Sequence, residues 1–232
     1  MMLNEVVLII FYIAILLYSV IIHEISHGIA ALWLGDSTAK YAGRLTFNPI
    51  RHIDPWWTIA IPLLMLLVTQ GRFTFGSAKP VPYNPYNLKN QRWGPAVVAV
   101  AGPGSNILLA LIFALAARFI AIPAAAKIDI VQNITNWGNI SQAISGSVGS
   151  IFFTLFAMII FWNVLLAFFN LIPIPPLDGS KLLFSVLSVK TETMIILEQF
   201  GFMFLLLLIF LFSGPLSILL DFFWNLFFSI AI

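Results

Sequence analysis

His23, Glu24 and His27 fall within one pentapeptide, His23-Glu24-Ile25-Ser26-His27, and their types and spacing suit hydrolytic chemistry. On a helix, side chains at i and i+4 stack on one face, so the two imidazoles can share one Zn²⁺ ion. The carboxylate beside the first imidazole is then placed to take a proton from a water on that metal, which is the logic of the H-E-x-x-H pattern. The chain has three histidines and no cysteine, so any metal must be held by His, Asp or Glu, and disulfides are excluded.

The element carrying these residues is an apolar stretch, residues 6–34, and its character is shared by the whole chain. Of the 232 residues 61% are hydrophobic and only 9% charged, with a mean hydropathy of +1.02. A soluble domain of this size could not bury so much apolar surface. Further apolar stretches at 95–122, 148–171, 194–212 and 216–232 approach or exceed the roughly 20 residues that cross a bilayer. The expected fold is an all-α polytopic membrane protein with five to six transmembrane helices. One domain is expected over 1–232, with a core at 6–190 and additional C-terminal helices in 191–232. The opening Met1-Met2-Leu3-Asn4-Glu5 lacks the basic flank of a cleaved signal peptide, so the first helix is expected to stay. A formal charge of +2, spread over loops, leaves no basic patch for nucleic acid.

A shorter apolar run, 56–69, contains Pro62 and is too short for a regular crossing. Lys40, Arg44 and Arg51 precede it, and Arg72, Lys79, Lys89 and Arg92 follow it. Both flanks therefore read as cytoplasmic, and the run as a re-entrant segment. Residues 123–147 carry Lys127 as their basic group and are rich in Asn, Ser and Gly, which puts them on the opposite side. Under this topology the stretches 6–34 and 148–171 run parallel, with both C-terminal ends in the cytoplasmic half.

The second of those ends leads into Asn170-Leu171-Ile172-Pro173-Ile174-Pro175-Pro176-Leu177-Asp178-Gly179. Its prolines cannot continue a helix and free backbone carbonyls, a break tolerated where it lines a cavity. A carboxylate there is costly unless a cation sits beside it, which makes Asp178 the best third zinc ligand. Its plainer role is to cap a helix over 179–187. His52, next to Asp54 and Pro55, reads either as a further ligand or as a residue holding a turn.

Taken together these motifs resemble the site-2 protease family of intramembrane zinc metallopeptidases. The matches are the His23–His27 pentapeptide, Asn170-x-x-Pro173 followed by Leu177-Asp178-Gly179, and Ala101-Gly102-Pro103-Gly104-Ser105-Asn106. Further similarity at 43–49, 52–55 and 75–85 points to the compact prokaryotic branch without accessory domains. The resemblance implies one zinc per chain on His23, His27 and Asp178, with Glu24 as general acid and base. It also implies that Asn106 and Asn170 contact the substrate backbone or its oxyanion. The plainer readings are a helix cap or interhelical bond for Asn106, and support of the Asp178 loop for Asn170. The implied function is a zinc-dependent intramembrane endopeptidase that cuts transmembrane segments of membrane proteins in regulated proteolysis. It would sit in the cell membrane with its active site towards the cytoplasmic half, and its partners would be the bilayer and a membrane-embedded protein substrate. The alternatives are a membrane metal-ion transporter and an inactive substrate-binding relative. Two β-favouring runs, 40–47 and 72–77, add the expectation of a small β element near the active site that could pair with an unwound substrate.

Overall fold

The computed structural model describes residues 3–70, 76–135, 147–187, 189 and 191–232. The stretch bearing His23 and His27 forms helix α1, Leu3–Trp33, about 46 Å long at 1.5 Å per residue. It stops where Gly35 takes a φ of +109°, a conformation open to glycine because it has no Cβ. Gly35 N donates to Leu32 O (3.1 Å) and Asp36 N to Ala31 O (2.9 Å), so the last carbonyls of the helix are satisfied.

The helices that follow are α2 (Thr38–Tyr41), α3 (Ile61–Val68, entered through a wide turn at Pro55–Ala60), α4 (Gly94–Arg118) and α5 (Ala124–Gln132). After them come α6 (Val148–Asn170), α7 (Asp178–Leu187), α8 (Thr191–Leu211) and α9 (Ser213–Ala231). Five helical spans are long and apolar enough to cross a membrane: Val6–Trp33, Gly94–Arg118, Val148–Asn170, Glu192–Leu211 and Ser213–Ala231. Their outward faces carry exposed Ile10, Ile13, Phe210 and Ile218, where a soluble helix would be polar.

Helix α4 is the hub and packs against α1, α6, α7 and α9. Its Ala110, Ala114 and Ala117, at i, i+4 and i+7, are fully buried and let neighbouring backbones come close. Opposite them α6 contributes Phe153, Ala157 and Ile160 to the same core. Within the stretch 123–147, α5 at Ala124–Gln132 buries Lys127. The Lys127 ammonium donates to Ala117 O (3.2 Å), Arg118 O (3.1 Å) and Ala231 O (3.2 Å), which ties the C-terminal ends of α4 and α9 together. Burial, reinforced by the charge of Arg118, pushes the Lys127 ammonium below its ordinary value.

One sequence expectation is corrected. Residues 40–47 form no strand: Thr38–Tyr41 is helical, and the chain then turns through Gly43 at φ +63°. The physical reason is local. Ala39 is fully buried, and its carbonyl accepts from Arg44 N (3.0 Å), closing the turn. No β element occurs among the described residues, and 72–75 lie outside them. Residues 76–84 are nonetheless pinned by backbone bonds, from Ser77 N to Trp57 O (3.0 Å) and from Lys79 N to His52 O (2.8 Å). The buried Arg44 guanidinium adds a bond to Lys79 O (2.5 Å).

Candidate metal centre and active site

Helix α1 presents His23 and His27 one turn apart, as the spacing requires, and the N-terminus of α7 brings Asp178 to them. His23 Nε2 lies 3.2 Å and His27 Nε2 3.1 Å from Asp178 Oδ2, and the two Nε2 atoms are 3.0 Å apart. This triangle is close to the edge of about 3.3 Å that tetrahedral ligands subtend at zinc bond lengths of about 2.0–2.1 Å. Among the described residues, these three are the one group of at least three His, Asp or Glu side chains converging in this way.

The other imidazole nitrogens are already engaged. His23 Nδ1 lies 2.6 Å from Asn106 Oδ1, and His27 Nδ1 lies 2.7 Å from Val98 O. Both partners are acceptors, so each Nδ1 carries the hydrogen, and each neutral ring turns an Nε2 lone pair towards Asp178. Two lone pairs and a carboxylate oxygen within 3.2 Å repel one another unless a cation joins them. The donor set therefore fits zinc. Lys181 Nζ, 3.8 Å from Asp178 Oδ1, stands on the other side of the carboxylate.

Glycine makes the close packing around these groups feasible. A Cβ on Gly102 of α4 would sit 2.5 Å from His27 Nε2 and 2.7 Å from His23 Cε1, so the α4 backbone lies directly against both rings. A Cβ on Gly179 would overlap the Leu171 carbonyl, and one on Gly201 the Pro175 carbonyl. The first fits α7 under the proline-rich turn after α6, and the second lets α8 pack on that same turn, where the Pro175–Pro176 bond is cis.

The cluster opens on a cavity of about 480 Å³. Glu24, Val81, Tyr83, Asn170 and Leu205 line it with the three clustered residues. Glu24 Oε2 accepts from Val81 N (2.7 Å), so its carboxylate is held at the cavity wall with Oε1 left for other partners. Asn170 Nδ2 donates to Leu166 O (2.9 Å), which engages one of its two amide hydrogens and leaves the other for the cavity. Burial pushes the Tyr83 phenol up to about 12, with Asp178 and Glu198 adding to the shift, so it is a neutral hydroxyl at physiological pH.

Two residues had alternative readings, and the geometry bears on each. Asn106 is fully buried. Its Oδ1 faces His23 Nδ1, and its Nδ2 donates to Ser19 O (3.3 Å) and Asn163 Oδ1 (2.7 Å). With both amide hydrogens engaged away from the cavity, the expected oxyanion contact does not fit, and the interhelical bond describes it. His52 lies outside the cluster, fully buried, with Nε2 2.8 Å from Thr46 O, so it holds a loop and is not a further ligand. Ser19 and Asn163 were not singled out from the sequence. The available signal was an amide in the middle of an apolar helix, where polar groups are costly and serve a purpose.

Comparison with known proteins agrees with this geometry. The model of peptidase family M50 matches residues 11–208. The relative named "Putative zinc metalloprotease YwhC" of Bacillus subtilis is 33% identical over 194 residues, covering 83% of this chain and 77% of its own. Two relatives named "Putative zinc metalloprotease Rip2", from Mycolicibacterium smegmatis and Mycobacterium tuberculosis, are each 26% identical over 83% of this chain. The chain spans 64% and 63% of their lengths. No solved structure matches it. With the family matched over most of its length and a zinc-compatible His–His–Asp cluster at the family motifs, the chain is a zinc metalloprotease of peptidase family M50, the site-2 protease family.

Proposed function

We propose that this metalloprotease cuts peptide bonds within transmembrane segments of other membrane proteins, acting as an intramembrane endopeptidase in regulated proteolysis. One observation carries the reading: the His23–His27–Asp178 cluster and Glu24 share a cavity walled by the membrane-length helices α1, α4, α6 and α8. A bond cut there belongs to a segment that lies in the bilayer.

His23, His27 and Asp178 would hold the zinc, which would supply the Lewis acidity that acidifies water and polarises a substrate carbonyl. The chain's own groups do the rest. Glu24, steadied through Oε2 by Val81 N, accepts a proton from the attacking water and passes it to the leaving amine. Asn170 offers its remaining amide hydrogen to the substrate backbone, and the Tyr83 hydroxyl stands at the same wall as a neutral donor. Segment 76–81 and Pro176 line the cavity beside the cluster, and irregular backbone there is the side from which water would enter.

The short apolar segment Pro55–Val68, about 21 Å long as a helix, is read as re-entrant, since basic loops flank it on both sides. On that reading the active site lies in the cytoplasmic half of the cell membrane, and residues 1–232 act as one domain. A metal-ion transporter would need ligand sets at successive depths, whereas the described residues hold one such set beside a general base. The test is reconstitution of the purified protein in lipid vesicles with a single-span membrane protein. Fragments ending inside the span support the reading, and fragments cut only in soluble regions count against it.

A further inference from the structure

We propose that Asn163 and Ser19 are positioning residues that set the tautomer of His23 through Asn106, and so tune the site for metal. Neither touches the cavity: Asn163 is fully buried and Ser19 nearly so. Any influence on the reaction therefore passes through neighbouring side chains.

An amide is nearly symmetric in shape, and a flipped Asn106 would present Nδ2–H to His23 Nδ1 in place of Oδ1. The imidazole would then put its hydrogen on Nε2, the atom needed for the metal. What prevents the flip is a chain of bonds with a fixed direction. Asn163 Nδ2 donates to Ile159 O (2.8 Å) and to Ser19 Oγ (2.9 Å). A backbone carbonyl only accepts, so Asn163 cannot turn its Oδ1 to that side. Its Oδ1 is thus left to accept from Asn106 Nδ2 at 2.7 Å. A second carbonyl, Ser19 O, accepts from the same Nδ2 at 3.3 Å, a bond too long to hold the orientation firmly by itself. Asn106 Oδ1 must then face His23, Nδ1 must donate, and Nε2 is left with its lone pair towards Asp178. The polarity of two backbone carbonyls, one on α1 and one on α6, is relayed through two amides to a ligand atom.

The inference rests on His23 being a zinc ligand, so the experiment carries His23→Ala in parallel. Zinc affinity of the detergent-purified full chain is measured by competition with a chromophoric chelator, and the histidine ¹⁵N shifts of the metal-free protein report the tautomer. Asn163→Leu keeps volume but removes the acceptor, and is expected to weaken zinc binding by about 10–100-fold, the usual loss when an outer partner of a ligating histidine is removed. It is also expected to mix the His23 tautomers. Adding Asn106→Asp is expected to restore most of the affinity, because either carboxylate oxygen accepts from Nδ1–H. A purely packing role for Asn163 would not be rescued in this way. Should Asn163→Leu fail to fold, Asn163→Ala removes the same acceptor without overfilling the space and is expected to show the same loss with the same tautomer mixing. Unchanged affinity and a single His23 tautomer in whichever of these variants folds, or no rescue by Asn106→Asp, overturns the inference. If His23→Ala itself binds zinc like the parent, the ligand reading fails instead.

Discussion

Glu24 and Val81, 57 positions apart, are joined by a 2.7 Å hydrogen bond from the Val81 backbone N–H to Glu24 Oε2. Pro80 and Pro82 flank Val81 and have no N–H, so Val81 supplies the one backbone donor in that tripeptide. The segment thereby holds the carboxylate proposed as general base while lining the cavity beside His23, His27 and Asp178.

Val81→Pro removes that donor and leaves the three ligand residues untouched. A hydrogen bond to a charged group contributes about 1.5–3 kcal/mol, so kcat is expected to fall by roughly 10–100-fold. Zinc content measured by atomic emission should stay at the parent value. Val81→Ala keeps the N–H and serves as the control; equal losses in both variants would show that the side chain, not the bond, matters.

Gly102→Ala places a methyl group 2.5 Å from His27 Nε2. The rings must shift, because the α4 backbone cannot retreat from a face packed on α1. Zinc affinity is expected to fall by at least about tenfold, on the scale of other disturbances to ligating histidines. Gly104, one residue pair along the same helix, has open space around it, and Gly104→Ala is expected to bind zinc as the parent does. Matching affinities for the two variants would refute the close-approach argument.

Asp36 fixes the end of α1 to residues 84–87, which directly follow the cavity-lining residues 76–83. Its buried carboxylate accepts from Thr38 N (3.1 Å), Thr38 Oγ1 (2.5 Å), Asn84 N (2.7 Å) and Asn87 Nδ2 (2.9 Å). Burial opposes ionisation, but these donors outweigh it, so the carboxyl is held below its ordinary value. With the folded value depressed, its contribution is present above the unfolded value of about 3.9 and fades as pH falls through the lower folded one. Thermal melts should show the parent losing stability on acidification below about pH 4, and Asp36→Asn losing less over that range while starting from a lower melting temperature. A variant as stable as the parent at pH 7 would contradict the role.

The spacing of His23 and His27 was legible because helix periodicity alone stacks i and i+4. The five long helices were legible because length and hydropathy suffice for them. Asp178 could be read because three prolines mark a break and a carboxylate near a membrane needs a partner. Other features depend on atoms that spacing does not encode. The Val81–Glu24 bond is made by a backbone N–H, which every residue but proline has, so nothing in its side chain marks it. The packing of Gly201 on Pro175 sets α8 against the site, yet a glycine in an apolar helix reads as ordinary. The misread of 40–47 came from β-favouring residue types, overridden by the burial of Ala39 and the left-handed turn at Gly43. For Asn106 the sequence left a substrate contact and an interhelical bond both open, because the direction of its bonds depends on Asn163 and Ser19.

The most direct measurement is cleavage of a single-span membrane substrate by Glu24→Gln and the parent, both reconstituted in vesicles and assayed for bound zinc. General acid–base catalysis contributes roughly 10²–10⁴-fold, so the variant is expected to lose activity by at least about a hundredfold. It should retain one zinc per chain, because Glu24 is not among the ligating atoms. Cleavage by Glu24→Gln at the parent's rate would contradict its role as general base, and with it the mechanism built on the cavity around His23, His27 and Asp178.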